Sequence, residues 1–213
     1  MDPKSIVPFF QALLVANPHP TTELEHRSAF ELLVAVLLSA HSTDRGVNIA
    51  TRKLFALAHT PQAMAALGAE RIAECLTSVN HYHTKARYLV DTCRLLVERF
   101  GGEVPRDMES LQSLPGVGRK TALVVLNTAF GEKTVAVDTH VLRVANRTGL
   151  APGATPLAVE RRLMQRVPDA FLAHAHHALV LHGRYVCRAQ LPRCWECVVA
   201  RWCDYEPKTP PPA

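Results

Sequence analysis

Apolar residues recur along this chain at helical spacing in one segment after another. Ile6, Phe9, Phe10, Leu13 and Leu14 predict an amphipathic helix that stops before Asn17-Pro18-His19-Pro20. Ser28 and Glu31 form a capping box at the head of Phe30 to Leu38, a run apolar on nearly every side, so this helix is expected at the centre of a bundle. A polar loop, Ser39 to Asp44, follows, with Ser42 or Thr43 able to cap the next helix through Val47, Ala50, Leu54 and Phe55. Thr60-Pro61 has the cap-then-proline pattern of a further start, and Glu70 to Leu76 reads as a separate short helix. Asn80 to Lys85 then interrupts the apolar rhythm before a longer helix through Tyr88, Leu89, Leu96, Val97 and Phe100, stopped by Gly101-Gly102.

Beyond Asp107, which begins one more short helix, the pattern changes at Leu114-Pro115-Gly116-Val117-Gly118-Arg119-Lys120-Thr121. Two glycines bracket one apolar residue, and Ala122, Val125, Leu126 and Ala129 continue at i, i+3, i+4, i+7 spacing, so a tight turn feeds a helix N-terminus. Thr134 to Val137 is too short and isolated for a strand and reads as buried extended chain leading to Asp138, a natural N-cap for Val141, Leu142 and Val144. Thr155-Pro156 opens a helix to Val167, and Pro168-Asp169 another toward Gly183. His174, His176, His177 and His182 lie on that last helix without sharing one face, so they read as buried or surface histidines rather than as a metal site. The pattern as a whole predicts an all-α protein, with a disordered proline-rich tail over residues 207–213.

Chemistry enters at the glycine turn. Gly116 and Gly118 tolerate positive φ and hold no side chain off a ligand, so the backbone N–H groups of the turn, with the helix behind them, suit a phosphate oxygen. An ordinary inter-helix turn would look the same. Lys120 sharpens the choice, because the helix dipole disfavours a cation in the first turn. A lysine there either meets an anion or serves as a neutral nucleophile that forms Schiff bases, and on the residues alone the phosphate contact comes first. Asp138 reads first as a cap and second as a catalytic carboxylate, kept ionised by hydrogen bonding and the helix dipole. His41, in an exposed loop, is open to a ligand or to solvent alone.

Charge reinforces the turn. The chain of 213 residues has 24 Lys and Arg against 19 Asp and Glu, a net charge of +5. Residues 1–113 hold 11 against 12 and the remainder 13 against 7, so the excess that suits a polyanion begins at the turn. The chain offers no run of 18 apolar residues, and its first residues lack the apolar core of a signal peptide, so a cytoplasmic protein with no membrane partner is expected.

Of six cysteines, Cys75 and Cys93 fall in apolar helical patterns and read as packed thiols. The other four are crowded as Cys187-x6-Cys194-x2-Cys197-x5-Cys203. With only one Cys-x-x-Cys pair, this spacing suits a [4Fe–4S] core better than zinc. Arg184, Arg188, Arg193 and Arg201 surround it, placed to offset the cluster's negative charge or to face phosphate.

Taken in order, the turn from Leu114 to Lys120, the segment Val137-Asp138-Thr139-His140-Val141 and the cysteine spacing closely resemble the endonuclease III family, bacterial DNA glycosylases of the helix-hairpin-helix type. The likeness extends from Asn17-Pro18-His19-Pro20 through Leu38-Ser39-Ala40 and Leu181-His182-Gly183-Arg184-Tyr185 to Cys203, nearly the whole chain. It implies a six-helix barrel domain, residues 22–132, and a helical [4Fe–4S] cluster domain from residues 1–21 and 133–213, with duplex DNA between them. It implies a monomeric, nucleoid-associated repair enzyme that excises oxidised pyrimidines and then cleaves the abasic site.

By the same resemblance Lys120 attacks C1′ of the sugar and Asp138 assists. The residues Gly116, Val117, Gly118 and Arg119 hold DNA backbone phosphate, and Cys187, Cys194, Cys197 and Cys203 carry a structural cluster that shapes a basic loop with Arg193. His41 and His81 stand where the family usually has a glutamine and an apolar wedge beside the flipped-out base, and Leu191 where relatives often have lysine. These departures leave open a monofunctional or non-catalytic iron–sulfur DNA-binding protein of the same fold.

Overall fold

The computed structural model describes residues 1–212, and the expected disorder at Ala213 lies outside them. Ten α-helices fall among those residues: α1 (Ile6–Ala16), α2 (Ala29–Ser39), α3 (Asp44–Leu57), α4 (Pro61–Cys75), α5 (Tyr82–Phe100), α6 (Met108–Gln112), α7 (Arg119–Phe130), α8 (Thr139–Arg147), α9 (Pro156–Arg166) and α10 (Asp169–Tyr185). Strands are absent among the described residues, and Thr134 to Val137 is extended chain without ladder partners. None of these helices is long and apolar enough to cross a membrane.

The chain divides into two compact units, one spanning Thr22–Gly131 and the other joining Met1–Thr21 to the segment from Glu132 onward. In the first, α2 is the central rod: every residue from Phe30 to Leu38 is buried, and α3, α5 and α7 pack against it. Ser28 Oγ accepts from the Glu31 N–H at 3.1 Å, and Glu31 reaches back to the Arg27 N–H at 2.7 Å, so two orphan donors at the helix start are satisfied. Thr60 caps α4 through the Ala63 N–H, with Pro61 in the first turn. Gly68, at φ 75° and ψ 166°, is non-helical and breaks α4 internally, so the stretch from Glu70 to Cys75 is a short helix beyond a kink, as the sequence predicts. The long helix α5 begins at Tyr82, three residues before the end of the expected interruption, and Lys85 is a buried first-turn residue.

In the second unit, α1 is docked by Ile6, Phe9, Phe10 and Leu13, with Phe10 stacked on Phe171 of α10 at 5.5 Å. Four such burials, each worth roughly 1.5–3 kcal/mol, are enough to hold a helix far from its unit in sequence. Polar ties support it: Arg166 donates to the Met1 carbonyl at 2.8 Å, and the Met1 ammonium pairs with Asp204. On α10, His176 Nδ1 lies 2.8 Å from the Ala136 carbonyl and its ring meets His177 edge-on, while His174 is exposed. Lys208 donates to the Cys203 and Tyr205 carbonyls, so the tail expected to be disordered is tied down at this residue, which a reading of its proline content does not capture.

Candidate active site and cysteine centre

The hairpin between α6 and α7 is built on one left-handed residue. Gly116 has φ +77°, and a Cβ there would lie 2.8 Å from the Tyr88 ring, so both backbone and packing demand glycine. Thr92 Oγ1 donates to the Pro115 carbonyl at 2.9 Å and Val117 is buried, which fixes the turn from below. Gly118 does not use the positive φ that it tolerates: it stands extended at the N-cap of α7, φ −85°, and offers no side-chain cap. Nothing lies within 4 Å of where its Cβ would be. The start of α7 is thus presented without a side chain in the way, the arrangement an approaching phosphate requires. Arg119 and Lys120 are exposed on the first turn.

Two further tips belong to the same unit. His41, after α2, and His81, before α5, both adopt left-handed backbone, φ 56° and 57°, and both are exposed. For residues with a Cβ this costs on the order of 1–3 kcal/mol each and persists only where the surroundings enforce it. Their rings meet edge-on with centroids 6.4 Å apart. Beneath them Lys85, 6% exposed, donates to the carbonyls of Leu38 and Ala40 and to Ser42 Oγ. Burial holds its ammonium below the usual lysine range. Those carbonyls are the unpaired C-terminal ones of α2, where a cation is welcome. Sequence reasoning misses Lys85 because Asn80 to Lys85 breaks the apolar rhythm, and it places Tyr88 on the helix without its contact to Gly116; a lysine one turn after a histidine cap is the signal for the first.

In the other unit, Asp138 caps α8. Its Oδ1 accepts from the His140 N–H at 2.9 Å and the Val141 N–H at 2.8 Å, so the cap is made by one oxygen. No hydrogen bond to its Oδ2 occurs among the described residues.

The four C-terminal cysteines are all free thiols and line one hollow together with Thr148, His182, Pro192, Tyr205 and Lys208. Arg147 orders the loop: it donates to the Arg188 carbonyl at 2.6 Å and the Ala189 carbonyl at 2.9 Å, approaches Cys187 Sγ at 3.7 Å, and lies over the Tyr205 ring. Arg143 adds a bond to the Cys187 carbonyl at 2.9 Å. Burial pushes the Cys197 thiol up to about 11, with the neighbouring cysteines adding to it, and burial raises Cys203 as well. At neutral pH that burial disfavours the thiolate form of both. His182 Nε2 stands 3.6 Å from Cys197 Sγ, and burial lowers its pKa to about 4, so the imidazole is neutral.

Arg143 and Arg147 were not singled out from sequence, although two arginines four apart on one face of α8 were visible, and His182 reads there as a buried or surface histidine with no tie to the cysteines. Arg193, expected to face phosphate, is paired with Glu196 at 2.6 Å, and Leu191 is exposed with φ +47°.

Among the described residues no three His, Cys, Asp or Glu side chains converge as a single ion demands. Thiolates around one zinc lie about 3.8 Å apart, given Zn–S bonds of about 2.3 Å. Four thiols around a shared hollow are a donor set for a larger thiophilic core.

Residues 34–169 match the family described as HhH-GPD superfamily base excision DNA repair protein. Endonuclease III of Escherichia coli is 54% identical over 192 residues, covering 90% of this chain and 91% of that protein. Endonuclease III of Treponema pallidum is 53% identical over 203 residues, covering 95% and 96%. Among solved structures, a trapped endonuclease III–DNA covalent intermediate superposes with a TM-score of 0.88 at 40% identity, covering 95% of this chain and 96% of that one. A thermostable thymine-DNA glycosylase, 22% identical with a TM-score of 0.83, shares the fold. With its glycine hairpin, its cap at Asp138 and likeness of this extent, the chain belongs to the endonuclease III family within the HhH-GPD superfamily of base excision DNA repair proteins.

Proposed function

We propose that this protein is a bifunctional DNA glycosylase and abasic-site lyase, acting as a monomer on oxidised pyrimidines in duplex DNA, with Lys120 as its nucleophile. The observation that carries the reading is Lys120 itself, exposed on the first turn of α7 directly behind the uncapped Gly118. In an endonuclease III of matching fold a covalent intermediate with DNA has been trapped.

A base within a duplex is out of reach of an amine, so the nucleotide must leave the stack, at a cost of a few kcal/mol that a lesion reduces. Gly116, Val117, Gly118 and Arg119 hold the backbone phosphate, which positions the strand without reading sequence. His41 and His81 engage the duplex where the base has left, stacking and hydrogen-bonding in one ring. The amine of Lys120 adds to C1′ and the base departs. Cleavage of the C1′–O4′ bond, with O4′ taking a proton and remaining on C4′ as a hydroxyl, then gives a Schiff base, whose electron-withdrawing iminium acidifies the C2′ proton, and elimination expels the 3′ phosphate. The carboxylate of Asp138, one oxygen of which is occupied by the α8 amides, keeps the other for a proton or for positive charge developing on the sugar.

Cys187, Cys194, Cys197 and Cys203 would hold a [4Fe–4S] cluster, which supplies a structural cross-link across the loop rather than a reaction step. Arg147 and Arg143 order the carbonyls of that loop, and Arg193 lies on it for phosphate contact.

The test is strand scission of a duplex carrying one abasic site. The native protein is expected to cleave it, and Lys120→Ala to lose cleavage by at least about a thousandfold, near 4 kcal/mol, while still binding the duplex. Normal cleavage by Lys120→Ala would remove the proposed nucleophile.

A further inference from the structure

The two loops that present His41 and His81 are joined by a set of hydrogen bonds that runs from one loop to the other. Asn80 N–H donates to Ser42 Oγ at 3.1 Å and Asn80 Nδ2 to the His41 carbonyl. Ser78 Oγ donates to the Gly46 carbonyl at 2.7 Å. Backbones approach so closely here that a Cβ on Gly46 would lie 2.7 Å from the Ser78 carbonyl oxygen. Lys85 closes the set from beneath, because its ammonium spans Leu38, Ala40 and Ser42 while its own N–H donates to the His81 carbonyl at 3.1 Å. One side chain is therefore bonded to both sides of the His41 turn, while its backbone sits in the first turn of α5, where the ordinary i→i−4 bond to the His81 carbonyl anchors it one turn beyond the second histidine.

We infer that Lys85 is a positioning residue: by binding the α2–α3 loop to the start of α5 it sets the spacing at which His41 and His81 together meet a damaged duplex. This rests on the reading of the two histidines as DNA contacts. Stability alone is a poor account of such a lysine. It is met by carbonyl and hydroxyl oxygens and by no carboxylate, and an apolar side chain of the same volume would fill the site without a buried charge to desolvate. What a methionine cannot do is hold three oxygens of a turn in place. Two left-handed histidines whose rings meet at a fixed distance need such a constraint, since either turn would relax to a commoner backbone if released. A preorganised pair binds without the entropic cost of ordering two loops on the DNA.

The experiment compares the full-length, cluster-loaded protein with Lys85→Met, Asn80→Ala and the double variant. Affinity is measured by fluorescence anisotropy for duplexes with and without one tetrahydrofuran abasic analogue. Lys85→Met is expected to lose about tenfold in affinity for the analogue duplex and Asn80→Ala about threefold, with undamaged duplex changed less than about twofold. The double variant should lose less than the product, because both substitutions release the same spacing. Borohydride trapping at saturating protein should slow far less than affinity falls, placing the effect on binding rather than on chemistry. An unchanged ratio of the two affinities, or equal weakening for both duplexes, would overturn the inference. Should Lys85→Met give no cooperative melt, the exposed Asn80→Ala decides alone by the same ratio. Trapping by the unaltered protein reports on the lyase reading independently, so each can fail without the other.

Discussion

At the scale of single residues, Asp138 has two tasks on one carboxylate, and they can be separated. Capping needs only an acceptor at Oδ1, which asparagine also offers, whereas proton transfer and charge stabilisation need the anion. Asp138→Asn should therefore melt within about 1 kcal/mol of the native protein yet lose base excision by a hundredfold or more, while Asp138→Ala adds the loss of the cap, about 1 kcal/mol. Thermal melts and single-turnover excision, measured side by side, check this; equal activity of Asp138→Asn would leave Asp138 a cap alone. The cap was legible in the sequence because an acidic residue between an extended apolar run and a helical pattern has few other places to go. Gly116 was legible for the same local reason. For Gly118 the sequence carries less, because a G-x-G pattern states that two positions are permissive without stating which one uses the freedom.

Among the elements, those bounded by side-chain caps followed the sequence closely: Ser28, Thr43, Thr60 and Thr155 each accept the N–H three residues on. Where no cap exists, the reading slipped. The start of α5 has a left-handed histidine at its N-cap with no side-chain bond, so its polar first turn reads from sequence only as an interruption of the apolar rhythm, with no place for Lys85. Its burial depends on α2 ending opposite it, which is a tertiary fact. Deeper in α5, Cys93 is fully buried, as its apolar setting suggests, and burial pushes its thiol up to about 12 from an ordinary value of 9.0. The unfolded chain thus gives up this proton first. Below pH 9 the two states bind it equally; between pH 9 and about 12 the native state retains it and the unfolded state does not. Stability should fall there by up to about 1.4 kcal/mol per pH unit from this group. Denaturant midpoints of native and Cys93→Ala protein, compared across that range, should converge as pH rises; parallel curves would contradict the buried thiol.

For the whole molecule, a discontinuous unit is the feature hardest to read from sequence order and the one on which the cysteine centre depends. Phe9 and Phe10 announce a buried face, but only packing against α10 says where it is buried. The cysteine spacing was readable as a compact donor set; the arginines that brace it were not, because their targets are carbonyls contributed by a loop without regular structure. Burial, though only partial at Cys197 and Cys203, raises both thiols and favours their protonated forms, so loading of the proposed cluster would couple to the order of this region. Cys197→Ser is expected to lose the visible absorbance of an iron–sulfur cluster and to lower the melting temperature of the protein. A variant with full absorbance, or one colourless but equally stable, would contradict a structural cluster on these four thiols.

The account turns on Lys120, and borohydride trapping tests it most directly. Incubated with a duplex containing one abasic site and reduced, the native protein should form a single covalent adduct, with the cross-link located by mass spectrometry on the peptide bearing Lys120. Lys120→Ala should form none despite binding the same duplex. An adduct at another amine, or none from native protein that binds tightly, would contradict the central claim.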